Sequence, residues 1–107
     1  EPYQGDVIGR FNLRGVIGKG GMGKKTLEAC AEHGAVYFHA IGGAAQIYAK
    51  CVKKVKGVYL EQFGSPEAVW HFDVENFPLV VTMDSHHSSL HEKVDEVSKK
   101  KMAEILK

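Results

Sequence analysis

Six consecutive residues, Gly18-Lys19-Gly20-Gly21-Met22-Gly23, constrain the fold of this chain more than any other stretch. They follow an apolar run at 13–17 and precede a run at 24–33 that has helical character. A strand that leads through glycines into a helix brings backbone N–H groups close to a ligand, and the helix N-terminus adds positive potential. Lys19 adds a full positive charge in the middle of the turn. We therefore predict that this turn binds a carboxylate or a phosphate.

The sequence on either side of the turn predicts an alternation of strands and helices. The first part of the chain reads as three strands separated by two helices, with strands at 14–18, 35–40 and 57–62 and helices at 24–33 and 44–55. Such an alternation predicts a parallel α/β core with right-handed crossovers. The later part reads as a strand pair joined by a short turn, at 68–74 and 79–83, and a helix at 90–106. This strand pair favours a mixed sheet or a second sheet layer.

Composition and charge restrict the partners of the chain. With 107 residues, 44% of them apolar, the chain is long enough for one domain with a hydrophobic core. Its formal net charge of +1 is not typical of a nucleic-acid-binding protein. No apolar run approaches the roughly 18 residues that a membrane-spanning helix needs. We therefore expect neither a nucleic-acid partner nor a membrane partner.

The two cysteines, Cys30 and Cys51, lie in predicted helices and do not have the spacing of metal ligands. We predict that both are buried or half-buried free thiols. A cytoplasmic, reducing compartment fits that prediction best.

The glycine turn matches one dinucleotide-binding pattern in part. Gly18, Gly20 and Gly23 fit G-x-G-x-x-G between a strand and a helix. The pattern also requires an Asp or Glu near the end of the second strand, where it binds the ribose. Residues 40–43 read Ala-Ile-Gly-Gly, so that acidic residue is missing.

The turn also comes close to the phosphate loop G-x-x-x-x-G-K-[ST]. Gly23 and Lys24 fit, but Lys25 occupies the Ser/Thr position that would meet magnesium. Asp84 is the nearest candidate for a magnesium ligand, and it follows a later strand. A small α/β module that binds a nucleotide or phosphate at residues 18–23, without catalysis, is therefore an alternative hypothesis for the chain.

Three ordered blocks of the sequence carry a more specific resemblance. The block at 17–22 reads I-G-K-G-G-M, the second combines 33–37 with 40–45 and reads H-G-A-V-Y…A-I-G-G-A-A, and the third combines 67–70 with 74–78 and reads E-A-V-W…V-E-N-F-P. They resemble segments of the class I (iron–sulfur) fumarase family, in its β subunit or C-terminal domain. The β subunits of L-tartrate dehydratase share that domain. The blocks together span about residues 14 to 84.

The resemblance implies an α/β fold of the swivelling β/β/α type, formed as a single domain by residues 1–107. In this three-layer fold a central, mainly parallel sheet carries helices on one side, and a smaller sheet covers the other. Family members carry a T-T-x-x-R-M segment just before the region that begins here with Glu1. Its threonine is thought to act as the catalytic base, and its arginine holds the substrate. By this resemblance the chain looks like a copy of the domain that lacks its N-terminal part.

The resemblance also implies an activity, a cofactor and a partner. Class I fumarases interconvert fumarate and (S)-malate by reversible hydration, and L(+)-tartrate dehydratases catalyse a related reaction. Three cysteines of the α subunit or N-terminal domain hold a [4Fe–4S] cluster, whose open iron acts as a Lewis acid. Cys30 and Cys51 match no ligand pattern, so we expect no metal in this chain. We expect activity only with the cluster-bearing partner, in a dimer or heterotetramer.

By the same resemblance, Lys19 is the catalytic residue that meets a substrate carboxylate, and Gly18, Gly20 and Gly21 also bind the substrate. An ammonium group on a glycine turn at a helix N-terminus suits a small dicarboxylate. Negative charge builds on a carboxylate when a proton leaves the neighbouring carbon, so a cation aimed at it stabilises the transition state. The alternative is that Lys19 is a solvated surface lysine and that the glycines only form a tight turn.

The histidines are predicted to have structural roles. His39 lies in an apolar strand and reads as a packed core imidazole. His86, His87 and His91 follow a strand end and form a candidate metal cluster. Ser88 and Ser89 read instead as the N-cap of the last helix, which competes with that interpretation. The aromatic residues Trp70, Phe72 and Phe77 read as core or interface side chains.

Overall fold

The computed structural model describes residues 2–106, so the predicted domain 1–107 includes two residues, Glu1 and Lys107, that lie outside the described residues. Within that range the chain forms four α-helices: α1 (Gln4–Phe11), α2 (Lys24–His33), α3 (Ala45–Cys51) and α4 (Leu90–Ile105). The five strands are β1 (Gly15–Lys19), β2 (Val36–Ala40), β3 (Val52–Tyr59), β4 (Val69–Val74) and β5 (Val80–Met83). A short 3₁₀-helix spans Glu61–Phe63. The chain is therefore a mixed α/β protein.

The chain divides into two compact units, of which the first includes the described residues up to Ile41 and from Leu79 onward. Its sheet has the order β1-β2-β5. β1 and β2 are parallel, with Gly15 opposite Val36 and Lys19 opposite Ala40, and β2 and β5 are antiparallel. The sheet is therefore mixed rather than mainly parallel, because the third strand arrives from the far end of the sequence and runs the other way.

The buried side chains of the first unit come from α1, α2 and the sheet. The buried apolar residues are Ile8, Leu27, Ala29, Cys30, Ala35, Tyr37 and Met83. α1 packs on α2, and Ile8 is its fully buried residue. Gly34 ends α2 with a φ of 70°, a left-handed conformation that favours glycine. The chain can then turn directly into β2, and this short connection places β2 beside β1.

The second unit, residues 42–78, contains α3 and a two-stranded antiparallel sheet of β3 and β4. Tyr48 on α3 stacks on Phe77 with ring centroids 4.5 Å apart, and its hydroxyl donates to the carbonyl of Pro78 at 3.1 Å. Trp70 and Phe72 on β4 are 43% exposed each, so they are not core side chains within this unit. The other part of the prediction, that they are interface side chains, stays a prediction.

Helical and strand boundaries confirm part of the sequence-based prediction. The helix predicted at 24–33 is α2, and the helix predicted at 90–106 is α4. The helix predicted at 44–55 was wrong in length, because α3 ends at Cys51 and the β-branched Val52 already belongs to β3. Residues 4–11, for which no element was predicted, form α1.

The predicted strand pairing was also wrong in part. The third predicted strand overlaps β3, which pairs with β4 and does not extend the parallel sheet. β4 and β5, predicted as a pair, have different partners, since β5 pairs with β2. Pairing depends on residues far apart in the chain, so local strand patterns do not determine it.

The connection from β5 to α4 is held by Asp84 and Ser89. The Asp84 carboxylate accepts hydrogen bonds from the backbone N–H groups of His86 at 2.9 Å and Ser88 at 3.1 Å. These bonds hold the pKa of Asp84 below its usual value. The Ser89 hydroxyl accepts from the N–H of Glu92 at 3.4 Å, which confirms the predicted cap of this helix at Ser89.

None of the helices within residues 2–106 has the length and apolar character that crossing a membrane requires.

We predict that Ile8→Ala lowers the free energy of unfolding by about 2–4 kcal/mol, because the change leaves a cavity beneath α1. Ile105→Ala removes the same atoms from a side chain that is 74% exposed, so it is expected to change stability by less than about 0.5 kcal/mol. Urea denaturation of both variants measures the difference. Equal losses would show that α1 does not pack on α2 in solution.

We predict that Asp84→Ala destabilises the protein at pH 7 and that this difference shrinks on acidification. The folded-state pKa of Asp84 lies below its unfolded value of about 4, so the stabilisation is complete above that pH and is lost as pH falls through the folded pKa. Urea midpoints at pH 7 and pH 3 test this, with Asp84→Asn as a control that keeps an acceptor but does not titrate. A pH-independent difference between the parent and Asp84→Ala would contradict the assignment.

Candidate functional site

The glycine turn connects β1 to α2, as the sequence predicts. Lys19 is the last residue of β1 and lies beside Ala40 of β2. Gly20 follows with a φ of +75°, which disfavours any residue with a side chain. Gly23 is the N-cap of α2 and supplies no side-chain cap, so the first N–H groups of the helix have no side-chain acceptor at this position. The turn therefore brings a cation and a helix N-terminus together.

Two further glycines of the turn lie against ring side chains. A Cβ atom at Gly18 would come within 2.6 Å of the Tyr37 hydroxyl oxygen. A Cβ atom at Gly21 would come within 3.1 Å of the His91 ring. By contrast, a Cβ at Gly20 would meet nothing within 4 Å. The turn is thus packed on one side and open on the other.

The carbonyl of Gly20 is held by two side chains of β2. The Tyr37 hydroxyl donates to this oxygen at 2.9 Å, and Nδ1 of His39 lies 3.2 Å from it. A carbonyl oxygen only accepts, so the second contact is a hydrogen bond when Nδ1 carries a proton. His39 is half-buried and hydrogen-bonded to the turn, so the prediction that it is a packed core imidazole was wrong. Its polar neighbour is a backbone atom, which no side-chain pattern indicates.

His91, in the first turn of α4, completes the packed side of the turn. Its Nε2 atom lies 2.9 Å from the Thr82 hydroxyl on β5. Its ring makes edge contacts with Tyr37 and His39, at centroid distances of 6.3 and 5.7 Å. His91 was predicted as part of a candidate metal cluster, and its contact with the turn was not predicted. The helical position of His91, two residues after the cap, was the available signal.

Lys19 and the first turn of α2 form a positively charged surface. The Lys19 side chain is exposed, and within residues 2–106 its ammonium group makes no ion pair or hydrogen bond. The first turn of α2 contains Lys24 and Lys25 and has no acidic residue. Positive charges at a helix N-terminus are unfavourable, whereas an anion there is stabilised. The surface is therefore suited to an anionic ligand.

Two cavities lie near α2, and Lys19 lines neither of them. A groove of about 740 Å³ lies along α1 and α2 and includes Arg10, Lys25 and His33. A smaller pocket of about 390 Å³ is formed by Pro2 and the first turn of α2, from Gly23 to Thr26. The predicted substrate-binding residues Gly18, Lys19, Gly20 and Gly21 are together on one turn, but on an open surface.

The residues of this chain do not fit an iron–sulfur cluster. Such clusters are held by several thiolates, whereas Cys30 and Cys51 are single free thiols in different units of the chain. Burial raises the pKa of the Cys30 thiol, which disfavours the thiolate. Among residues 2–106, no three His, Cys, Asp or Glu side chains are grouped so that they could hold a metal ion, and the candidate cluster of His86, His87 and His91 is not formed.

Comparison with known proteins identifies a family that matches most of this chain. Residues 1–94 match the family model described as Fumarase C-terminus. A Geobacillus stearothermophilus protein named "Putative fumarate hydratase class I" is 58% identical over 105 residues, which are 98% of this chain and 20% of that protein. The chain thus spans about one fifth of the length of that relative.

Two further relatives are named as tartrate dehydratase subunits. A Methanocaldococcus jannaschii protein named "Putative L(+)-tartrate dehydratase subunit beta" is 44% identical over 103 residues, 94% of this chain and 53% of that protein. The Escherichia coli "L(+)-tartrate dehydratase subunit beta" is 33% identical over 91 residues, 84% of this chain and 45% of that protein. The chain spans about half of each. The family match, which covers most of the sequence and includes the whole glycine turn, shows that this chain belongs to the fumarase C-terminus family.

Proposed function

We propose that this chain is part of an iron–sulfur hydro-lyase, as its β subunit or C-terminal domain, and that the enzyme interconverts fumarate and (S)-malate. Its membership in the fumarase C-terminus family supports the reaction class. The 58% identity to a relative named as a class I fumarate hydratase favours fumarate over tartrate, because the relatives named for tartrate are 44% and 33% identical.

The single observation that carries this proposal is the position of Lys19 on the glycine turn. Its exposed ammonium group is at the end of β1, and the N-terminus of α2 begins five residues later, at Lys24. Removal of a proton from the carbon beside a carboxylate places negative charge on that carboxylate. Lys19 binds the carboxylate and stabilises this charge, and the backbone N–H groups of Gly20 and Gly21 bind it beside the lysine. Lys19 is the catalytic residue of this chain.

The remaining parts of the reaction belong to a partner in this proposal. The [4Fe–4S] cluster is held by the α subunit or N-terminal domain, because the two single thiols of this chain, Cys30 and Cys51, do not fit it. The enzyme is active only when the two parts are together, as a dimer of such pairs or a heterotetramer. A location in the cytoplasm stays a prediction from the free thiols.

We further propose that residues 1–107 form one domain with the swivelling β/β/α arrangement implied by the family resemblance. The mixed sheet of the first unit and the smaller sheet of β3 and β4 are consistent with two sheet layers. The half-exposed Trp70 and Phe72 support this proposal, because an isolated two-stranded sheet is at best marginally stable in water.

A second candidate substrate is L(+)-tartrate, which the names of two relatives favour. The complete enzyme, assembled anaerobically with its cluster-bearing partner, should be assayed with fumarate, (S)-malate and L(+)-tartrate. A higher kcat/KM for fumarate and malate supports the first proposal, and a higher kcat/KM for tartrate supports the second. Activity with none of these acids would overturn both.

We predict that Lys19→Ala in the complete enzyme raises KM, lowers kcat and reduces kcat/KM by about 10- to 150-fold. This range corresponds to the loss of one hydrogen bond to a charged group, about 1.5–3 kcal/mol. Steady-state kinetics with (S)-malate measure it. Lys100→Ala, which removes an exposed lysine of α4, is the matched control and should retain the parent rate. Near-normal malate dehydration by Lys19→Ala would refute the role of this lysine.

A further inference from the structure

Within residues 2–106, the peptide that joins Gly20 to Gly21 is hydrogen-bonded through its carbonyl oxygen only. Its carbonyl oxygen accepts from the Tyr37 hydroxyl at 2.9 Å and lies 3.2 Å from Nδ1 of His39. Tyr37 and His39 are two residues apart on β2, so they lie on the same face of that strand. Both donors therefore approach the Gly20 carbonyl from the β2 side of the turn.

The geometry of a trans peptide then fixes the direction of the Gly21 N–H. No cis peptide bond is present among the described residues, and in a trans peptide the C=O and N–H groups point in opposite directions. With its carbonyl directed at Tyr37 and His39, this peptide directs the Gly21 N–H away from them. That N–H has no hydrogen-bond partner within residues 2–106. It is therefore available to a ligand next to Lys19.

Steric constraints alone do not hold this peptide. The residues on both sides of it are glycines, and rotation of a peptide between two glycines meets little steric resistance. The rotated form would direct the Gly20 carbonyl oxygen to the side where a carboxylate binds, and two oxygens would repel each other there. The two side-chain donors are what favour the productive orientation.

The ring of His91 limits the position of the turn at Gly21. A Cβ atom on Gly21 would come within 3.1 Å of its ring, so the space beside Gly21 is occupied by the imidazole. The same ring contacts those of Tyr37 and His39 at their edges, and Thr82 holds its Nε2 atom at 2.9 Å. The three rings form one support for the turn.

We propose that Tyr37 and His39 are positioning residues that lock the Gly20–Gly21 peptide, so that the Gly21 N–H is a fixed hydrogen-bond donor to the bound carboxylate. This inference rests on the proposed function for the identity of the ligand, a small dicarboxylate. Neither side chain touches the substrate, and each acts through the Gly20 carbonyl. Because negative charge on the carboxylate grows in the transition state, the lock contributes more to kcat than to KM.

The test compares Tyr37→Phe, His39→Leu and their combination in the complete enzyme. Either donor alone keeps the carbonyl in place, so each single variant should weaken binding of succinate, a non-reacting dicarboxylate, by about 2- to 5-fold. The double variant frees the peptide to rotate. It should weaken succinate binding by about 10-fold or more, which exceeds the product of the two single effects. kcat for malate should fall further than KM rises.

Conservative rescue separates positioning from a purely structural role. His39→Asn places an amide nitrogen near the position of Nδ1, so it should restore succinate affinity to within about twofold of the parent when introduced in place of His39→Leu. Thermal unfolding of each variant reports structural damage independently. A double variant with the affinity and kcat of the parent would overturn the inference.

Calorimetric titration with succinate keeps this inference separate from the proposed function. If the parent enzyme binds succinate but neither hydrates fumarate nor dehydrates tartrate, the proposed reaction fails, and the peptide lock is still decided by the titration. If Lys19→Ala loses affinity and the double variant does not, the proposed site stands and the lock is refuted. Absence of succinate binding by the parent would refute both.

Discussion

The contact of two side chains with one backbone oxygen, that of Gly20, organises this site. Tyr37 and His39 both reach this atom from β2, at 2.9 and 3.2 Å. The Tyr37 side chain passes beside Gly18 to reach the Gly20 carbonyl, and a Cβ atom at Gly18 would be only 2.6 Å from the Tyr37 hydroxyl oxygen. The tyrosine at position 37 therefore requires a residue without a Cβ atom at position 18. A glycine turn here is more than a flexible connection, because the contacts of Tyr37 and His39 with the Gly20 carbonyl hold its conformation.

The fold brings three distant segments to this turn. The parallel pairing of β1 with β2 places Gly18 opposite His39, and the antiparallel pairing of β2 with β5 brings Thr82 to the same sheet. α4 begins a few residues after β5, so His91 returns to the turn. The first unit alone supplies all of these contacts. The mixed sheet is therefore a requirement of the site, because β5 and α4 carry Thr82 and His91.

Local sequence signals predicted the elements whose ends are marked by clear start and stop residues such as glycine. α2 was predictable because glycines precede it and Gly34 stops it in a left-handed conformation. The first half of β3 was not, because Val52 and Val55 fit the apolar stripe of a preceding helix as well as a strand. The pairing of β3 with β4 depends on contacts between residues 10 to 22 positions apart, from Tyr59–Val69 to Val52–Val74, and no local pattern encodes them.

Of the candidate site, the sequence predicted the glycine turn with Lys19 but not the side chains that hold the turn. The glycines and Lys19 form a continuous motif whose spacing indicates an anion-binding turn. The side chains that hold the turn come from positions 37, 39 and 91, and nothing in one sequence indicates which of six histidines would meet a backbone carbonyl. His39 and His91 therefore became recognisable only when the register of the sheet was known. Residues that act through a backbone atom carry no side-chain signature of their own.

The two longest helices of the first unit differ at their N-termini, and the difference bears on function. α4 satisfies its N-terminus internally, with a Ser89 hydroxyl as cap and Glu92 in its first turn. α2 begins at a glycine with no side-chain cap and carries Lys24 and Lys25 in its first turn. That arrangement costs stability in the free chain, because the helix dipole disfavours these charges. A carboxylate bound there would offset this cost, so the unfavourable charges of α2 lie where a site for an anion is proposed.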